Sequence, residues 1–390
     1  GVTVGAGDFD IQEFIKSTFT RIWNDKLVGT VYERYMHNAA VYGALGRMEY
    51  GRDRLVEKII FFLAEFPDTE ITVEDCITSG ERGAAGKVLC RWTLRAHHTG
   101  EGIYGSPAGN PVEFTGITCC TVKDRRITEQ WDEWDRRSLL RQLRIDEKEF
   151  IYSRLEQGRG NIDPPGAPSP GPAELCFPAP PDPVSRVWGE AARLSGQDAP
   201  PLPSGGASPA EPPPPPSSAA EADTFIRALY QHIWNLRNVG MVDQYYSGDV
   251  TVHGPSGRIV DGRDELKTYI LSMLAPFPDA ALFLDDVFLS SGTAGGPIQA
   301  AVRWSIAGTH RRHGRYDPPT GISLRITGLS MLKIKNGTVT EELTEFGEFE
   351  LVRRLEQKRL IDAQQAGAEH ADYAGLEEKK NENRTEKKNE

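Results

Sequence analysis

Carboxylates and aromatic side chains alternate along the segment Trp131-Asp132-Glu133-Trp134-Asp135. In a strand, side chains two residues apart lie on the same face, so Trp131, Glu133 and Asp135 would line one side, together with Glu129. A carboxylate beside aromatic rings loses hydration, which raises its pKa and lets it exchange a proton near neutral pH. This spacing therefore indicates a pocket wall that could perform general acid/base chemistry.

A variant of this segment returns in the second part of the chain as Leu343-Thr344-Glu345-Phe346-Gly347, where glycine replaces the last carboxylate. Both copies belong to a longer repeat, because many matching pairs share one spacing. At a separation of 211 residues the pairs are Trp23/Trp234, Gly51/Gly262 and Phe66/Phe277, and at 212 they are Trp92/Trp304, His98/His310, Gly109/Gly321 and Thr115/Thr327. The chain therefore contains a duplicated domain whose copies differ at the position of Asp135.

Each copy begins with helical patterns and continues with strand patterns. Apolar residues recur at helical spacing from Ile11 to Trp23 behind a capping Asp10, and residues 30–36 and 53–63 are also helical in pattern. After a short strand over 39–42, the period changes to two from Glu70 onward, which predicts strands over 71–73, 88–96, 112–122 and 127–134. This order predicts an α+β domain with helices covering one face of an antiparallel sheet.

Two further segments differ in composition from the repeated domains. Residues 157–221 carry repeated proline runs, which predict an extended linker. A short helical island near 184–195 interrupts it; either this is a frayed helix, or Trp188 docks on one of the domains, which we favour. Residues 366–390 are charged and poor in apolar residues, which predicts a disordered or solvated tail. The two domains are therefore expected over 8–156 and 222–365.

Composition restricts the class of protein and the kind of site. With 45 basic and 56 acidic residues the net charge is -11, which argues against nucleic-acid binding. No apolar run approaches the ~20 residues of a membrane span, so no membrane partner is expected. The five cysteines are odd in number and lack metal-ligand spacing, so we predict reduced thiols in a cytoplasmic protein and no disulfide framework. No His pair shows metal-site spacing with a carboxylate, and no metal is expected.

The motifs of the first copy resemble the SnoaL-like polyketide cyclase family, within the nuclear-transport-factor-two-like superfamily. The resemblance rests on His98-Thr99-Gly100, Gly105-Ser106-Pro107-Ala108-Gly109, Phe114-Thr115-Gly116-Ile117, the run from Ile127 to Asp135, and Leu139-Leu140-Arg141-Gln142-Leu143. The second copy keeps Tyr316 to Gly321 and Ile326 to Leu329. The resemblance covers both copies but neither linker nor tail. It implies two tandem cone-shaped domains, each with helices packed on a curved antiparallel sheet.

The resemblance also implies cofactor-free acid/base catalysis by one aspartate near the end of the last strand, which corresponds to Asp135. A second interpretation stands beside this one, because Asp135 directly precedes the helix-like run 136–143, where aspartate is a favourable N-cap. The two roles are compatible with each other. Gly347 has no proton to transfer, so chemistry of this type is expected in the first copy.

Other residues could complete the pockets of the two copies. The candidates for substrate binding in the first copy are His98, Trp131, Glu133, Trp92, Tyr35 and Trp23, and those in the second are His310, His253, Glu345 and Tyr316. Each aromatic residue alone is typical of core packing, but together they predict an apolar cavity. His98 is expected to be a polar group of the pocket, because it ends a strand and recurs as His310.

Two functional hypotheses follow. The first is a SnoaL-like cyclase type of enzyme, which performs an aldol cyclisation, isomerisation or related lyase or hydrolase step on an apolar, carbonyl-bearing small molecule in the first copy. The second is a non-catalytic protein that binds a small ligand or acts as a scaffold. Members of this superfamily often pair through the open faces of their sheets. The two copies are therefore expected to form an intramolecular pseudo-dimer, which leaves further homo-oligomerisation open.

Overall fold

The computed structural model describes residues 9–79, 85–156, 211–291 and 296–366, of which 9–156 are called here the first half and 211–366 the second half. Most of the predicted linker, its helical island near 184–195 and nearly all of the predicted tail lie outside the described residues. No helix in the described ranges is both long enough and apolar enough to cross a membrane.

The helices and strands follow one another in the same order in both halves. The helices are α1 (Ile11–Phe19, continued by a wider turn over Thr20–Asn24), α2 (Thr30–Arg34), α3 (Arg52–Glu65), α4 (Arg136–Gln142), α5 (Glu147–Glu156), α6 (Ala219–Tyr230, continued over Gln231–Asn235), α7 (Val242–Tyr245), α8 (Arg263–Leu274) and α9 (348–366). The strands are β1 (Tyr35–Gly43), β2 (Arg47–Tyr50), β3 (Glu70–Ser79), β4 (Gly86–His97), β5 (Pro111–Lys123), β6 (Arg126–Trp134), β7 (Tyr246–Gly254), β8 (Arg258–Asp261), β9 (Ala281–Ser291), β10 (Ile298–Thr309), β11 (Ser323–Lys335) and β12 (Thr338–Phe346).

Each half contains one six-stranded sheet, in the order β2-β1-β6-β5-β4-β3 and β8-β7-β12-β11-β10-β9. The strand over 39–42 is part of β1, which pairs with β2 antiparallel but with β6 parallel. In the second half, β7 likewise pairs with β12 in parallel, so the prediction of wholly antiparallel sheets is corrected at one pair in each half. The predicted α+β fold with helices on a sheet is confirmed in both halves. Asp10 caps α1 as predicted, accepting hydrogen bonds from the amides of Gln12 and Glu13 at 2.8 and 3.0 Å.

Both faces of each sheet are covered, and this determines where side chains can act. The inner face packs on the helices of its own half, and the outer face packs on the sheet of the other half. Between the outer faces lies one apolar cluster of Ile77, Leu89, Ile117 and Cys119 from the first half with Phe288, Ala301, Leu329, Met331 and Leu343 from the second. The predicted intramolecular pairing through the sheets is confirmed.

Each half also contributes a residue to the core of the other. Leu45, at the tip of the β1–β2 hairpin, is 6% exposed and packs within the core of the second half. Phe349, at the start of α9, is 3% exposed and packs within the core of the first half, where its ring lies 6.2 Å from that of Phe150. The two cores are therefore completed reciprocally.

One cysteine pair corrects the prediction from composition. Cys76 and Cys90 face each other across the antiparallel pair β3–β4 and form a disulfide with a Cα–Cα distance of 4.2 Å. The prediction of reduced thiols is wrong for this pair, because strand register brings together two residues whose sequence spacing gave no signal. Cys119 and Cys120 are free and buried. The cysteines therefore no longer indicate a cytoplasmic protein.

Candidate functional site

Side chains of β6 alternate between the inner and outer faces of the first sheet. Trp134 and Asp132 point inward, where Trp134 packs against Phe114 with ring centroids 5.1 Å apart. Trp131 and Glu133 point outward, toward the second half. Trp131 and Glu133 were predicted to share an internal pocket with Trp92 and Tyr35, but the structure separates the first two from the last two. Both faces of this strand are buried, so its apolar content does not distinguish the inner face from the outer one.

The inner face of the first half carries a chain of hydrogen bonds that ends on Asp132. The Tyr35 hydroxyl donates to Oε1 of Gln130 at 2.6 Å, and the Gln130 amide donates to Oδ2 of Asp132 at 2.7 Å. The Thr118 hydroxyl donates to Oδ1 of Asp132 at 2.6 Å and accepts from the Trp92 indole at 2.9 Å. Two of the predicted pocket residues, Tyr35 and Trp92, therefore orient a carboxylate that sequence reasoning did not single out.

The second half repeats this chain with its carboxylate at a different position. The Tyr246 hydroxyl donates to Oε2 of Glu342 at 2.8 Å, and the Thr344 hydroxyl donates to Oε1 at 2.8 Å. Thr344 and Ser330 share a hydrogen bond of 2.7 Å, and the Trp304 indole donates to Ser330 at 2.9 Å. Each sheet thus holds one inward carboxylate in an equivalent chain.

The two halves have exchanged the positions of acid and neutral partner. Gln130 and Asp132 in the first half correspond to Glu342 and Thr344 in the second, by the registers of β6 with β5 and of β12 with β11. Burial raises the pKa of both Asp132 and Glu342, although hydrogen bonds from their neighbours oppose the increase. This exchange of acid and neutral residues can be found by comparing the repeats position by position. The prediction followed the difference between Asp135 and Gly347 instead.

Glu342 lies on the wall of a cavity inside the second half, between the helices and the inner face of the sheet. The cavity has a volume of about 40 Å³. Its walls are mostly apolar and aromatic, and include Tyr230, Trp234, Tyr269, Met273, Trp304 and Phe346. Phe62 and Trp134 take the positions of Met273 and Phe346 in the first half, where Phe62 packs edge-on against Trp23 at 5.8 Å. The first half therefore carries bulkier side chains at these two positions.

Asp135 occupies the N-cap of α4, as the second interpretation of this residue predicted. Its carboxylate is 5% exposed and accepts hydrogen bonds from the amide of Ser138 at 2.9 Å and from the Ser138 hydroxyl. The residue lies beyond the end of β6, where strand alternation no longer applies. The capping role of Asp135 is therefore present in the structure, and both of its oxygens are engaged in it.

The glycine that replaces this aspartate has a steric cause. A Cβ atom on Gly347 would lie 2.2 Å from Cβ of Ala44, in the hairpin that the first half inserts into the second. At that distance no side chain fits without displacing the hairpin. The loss of the carboxylate in the second half therefore reflects domain pairing.

On the outer faces, two glutamates form equivalent hydrogen bonds between the halves. Thr327 donates to Oε1 of Glu133 at 2.7 Å, and Thr115 donates to Oε1 of Glu345 at 3.0 Å. Burial raises the pKa of both carboxyl groups well above the usual value, and the charge of Asp135 adds to this at Glu345. The interface between the halves therefore favours two neutral carboxyl groups.

This arrangement predicts that the stability of wild-type protein falls as the pH rises. A carboxyl with a raised pKa stabilises the fold below its unfolded pKa, and this contribution is lost as pH rises through the folded pKa. Each pH unit between the two pKa values corresponds to ~1.4 kcal/mol. We expect the free energy of unfolding of Glu133→Gln/Glu345→Gln to fall less than that of wild type between pH 5 and 9, by at least ~1 kcal/mol. Urea unfolding followed by circular dichroism measures it, and parallel profiles for the two proteins would contradict the prediction.

The predicted histidines and Tyr316 lie at three separate places. His98 is buried beside Phe66, with Nε2 3.9 Å from Oε2 of the buried Glu65. His310 is buried against Phe277, and its Nδ1 lies 3.2 Å from the Thr320 hydroxyl. Neither histidine lies on the hydrogen-bonded chain of Asp132 or of Glu342. Two candidates of the second copy, His253 and Glu345, line one pocket together, and it lies between the halves.

Tyr316 belongs to a buried charge cluster around Glu348 at the start of α9. Oε1 of Glu348 accepts from Arg315 at 2.7 Å and from the Tyr316 hydroxyl at 2.9 Å. Oε2 lies 3.1 Å from Nη1 of Arg137 in the first half and accepts a hydrogen bond from Ser256. Burial alone would raise the pKa of Glu348, but Arg315 and Arg137 outweigh it and hold this pKa below its usual value. Tyr316 thus supports the junction between the halves.

Comparison with known proteins identifies both halves. Residues 10–143 match the family model of SnoaL-like polyketide cyclases, and residues 226–342 match that of the SnoaL-like domain. Similar solved structures include IdmH from Streptomyces antibioticus, proposed to be a polyketide cyclase, at 25% identity over 34% of this chain and 98% of its own, with a TM-score of 0.31. A proposed polyketide cyclase from Acidithiobacillus ferrooxidans is 21% identical over 36% of this chain and 97% of its own, with a TM-score of 0.31. AclR from Streptomyces galilaeus, a proposed hydroxylase, is 22% identical over 34% and 97%, with a TM-score of 0.30. No curated protein matches the chain.

Proposed function

We propose that this chain, which carries two SnoaL-like domains in tandem, is a cofactor-independent acid/base enzyme acting on an apolar, carbonyl-bearing small molecule. Glu342 is the proton-transfer residue, and the cavity of the second half is the substrate site. The observation that carries the proposal is the position of this carboxylate, held by Tyr246 and Thr344 at 2.8 Å each, on the wall of an otherwise mostly apolar cavity.

The chemistry needs a base, an oxyanion donor and the exclusion of water. The Glu342 carboxylate takes a proton from the carbon beside the substrate carbonyl, and the electrons of that C–H bond form the enolate. The Tyr230 hydroxyl lines the same cavity and is a suitable donor to the developing oxyanion. The enolate carbon then attacks a second carbonyl, and Glu342 returns its proton to the new alkoxide. The raised pKa of Glu342 suits both transfers near neutral pH.

This proposal reverses the roles expected of the two halves. The expectation that the first half acts and the second supports it rested on Asp135, which caps α4 from beyond the end of β6. Asp132 is the first-half carboxylate with a comparable setting, but the first half carries the bulkier Phe62 and Trp134 where the second half carries Met273 and Phe346. The cavity and its carboxylate therefore favour the second half as the reacting one.

The test follows exchange of the methyl protons of 2-acetylnaphthalene in D₂O by proton NMR. Wild-type protein is expected to accelerate the exchange, and Glu342→Gln, which installs the residue type of Gln130, is expected to slow it at least ~100-fold. Asp132→Asn is the matched control and should leave the rate within about threefold of wild type. The reverse pattern would assign the chemistry to the first half. Binding of the ketone without acceleration would support a non-catalytic binding protein and overturn the enzyme.

A further inference from the structure

A second pocket lies between the two halves and plays no part in the function proposed for Glu342. It is called here the interdomain pocket. Its lining includes Arg91 and Thr115 of the first half and His253, Arg258, Leu343 and Glu345 of the second. It opens on the outer faces of the sheets, so it is separated from the cavity inside the second half by the sheet itself.

The pseudo-symmetric position of the first half shows what fills such a space. There the Trp131 indole stacks on the Tyr42 ring at a centroid distance of 3.9 Å, nearly parallel at 7°. The guanidinium of Arg303, from the second half, covers the other face of the indole at 4.2 Å. Three flat groups therefore form one stack of ring, ring and cation.

In the interdomain pocket, the same three positions lack the central ring. In the second half His253 pairs with Leu343, as Tyr42 pairs with Trp131 in the first half. Arg91 of the first half corresponds to Arg303 of the second. Leucine occupies less volume than an indole, so the outer groups remain while the middle layer is missing. The pocket is the space that results.

The polar lining of the pocket favours a hydrogen-bond acceptor. Oε1 of Glu345 accepts from Thr115, while Oε2 is buried and has no hydrogen-bond partner among the described residues. Burial raises the pKa of Glu345 well above its usual value, which favours the protonated carboxyl as a hydrogen-bond donor at this unpartnered oxygen. Arg91, Arg258 and His253 line the same pocket, and their side chains supply further N–H donors.

We propose that the interdomain pocket binds a planar aromatic ring system bearing a carbonyl oxygen. The ring takes the place that the Trp131 indole takes in the first half, with Arg91 against its face. The carbonyl oxygen accepts a hydrogen bond from the Glu345 carboxyl. The missing aromatic layer accounts for the ring of this ligand. The buried Glu345 carboxyl, whose Oε2 has no partner among the described residues, accounts for its carbonyl oxygen.

The test uses chromone, a planar bicyclic ketone that has no exchangeable proton beside its carbonyl. In isothermal titration calorimetry with the full chain, chromone should bind at least about 10-fold more tightly than indole, a bicycle that offers an N–H donor in place of the carbonyl. Leu343→Trp, which installs the first-half side chain, should abolish this site. Leu343→Met is its matched control and should retain the affinity within about threefold.

Two further variants keep the test independent of folding and of the other cavity. Met273→Phe fills the cavity of the second half with the first-half residue type and should not change chromone affinity; a loss there would place the ligand inside the second half and overturn the proposal. Arg91→Met removes the charge from a partly exposed side chain and should weaken binding about 5-fold or more. Unchanged affinity in a folded Leu343→Trp protein, or equal affinities for chromone and indole, would also overturn it.

Discussion

Restoring the missing aspartate by Gly347→Asp is expected to destabilise the chain by ~3 kcal/mol or more and to create no second active carboxylate. The new Cβ would lie 2.2 Å from Cβ and 3.1 Å from Cα of Ala44, a contact with backbone that cannot be relieved by rotating a side chain. Overpacking of this kind costs ~1–3 kcal/mol. The new Cβ would also lie 3.4 Å from Oε2 of Glu133, so the added carboxylate would be buried beside another carboxyl group, which adds the cost of an unpaired polar group.

Urea unfolding monitored by circular dichroism measures the loss, and two further variants identify its cause. Gly347→Ala carries the steric part without the charge and should already destabilise the protein. Adding Ala44→Gly to it removes the opposing Cβ and should recover part of the stability. A Gly347→Asp protein as stable as wild type would show that the hairpin containing Ala44 does not pack where the structure places it.

Removal of the Glu348 side chain is the second change with a large expected effect. Glu348→Ala leaves Arg315 and Arg137 without the carboxylate that lies 2.7 and 3.1 Å from them, and leaves the Tyr316 hydroxyl without its acceptor. Breaking a buried ion pair by removing one partner costs ~3–5 kcal/mol, because the remaining charge is uncompensated. We expect a loss of stability in that range by urea unfolding.

Arg137→Met distinguishes how much the contact between the halves contributes to stability from how much the contacts within the second half contribute. It removes only the guanidinium of the first half, which Glu147 also binds at 2.7 and 2.8 Å. We expect it to cost less than Glu348→Ala, because Glu348 keeps Arg315, Tyr316 and Ser256. Equal losses for the two variants would mean that the contacts within the second half contribute nothing measurable.

The α+β fold and the duplication could be predicted from sequence, because periodicity and repeat spacing report on them directly, and the pairing of the sheets was implied by the family resemblance. The direction in which the side chains of β6 point could not be predicted from sequence. Alternation correctly placed Trp131 and Glu133 on one face, but that face is buried against the second half while Asp132 is turned inward. A strand that is buried on both sides has no polar side to mark its outside.

Two other features depended on information that a linear pattern does not contain. The Cys76–Cys90 disulfide follows from the register of β3 on β4, which sequence spacing does not fix. The charge cluster around Glu348 can be seen in the repeat, because Arg136 and Arg137 of the first copy correspond to Glu348 and Phe349 of the second. This exchange of charge between copies is typical of surfaces that meet each other, and a comparison of the repeats restricted to pocket residues overlooks it.

The exchange of Leu45 and Phe349 between the two cores has a consequence for cooperativity. Each core is closed by a residue that the other half holds in place, at 6% and 3% exposure. Opening one half therefore withdraws an apolar side chain from the interior of its neighbour and weakens the neighbour at once. The stabilities of the two halves are therefore coupled, because each loses an apolar side chain from its core when the other opens.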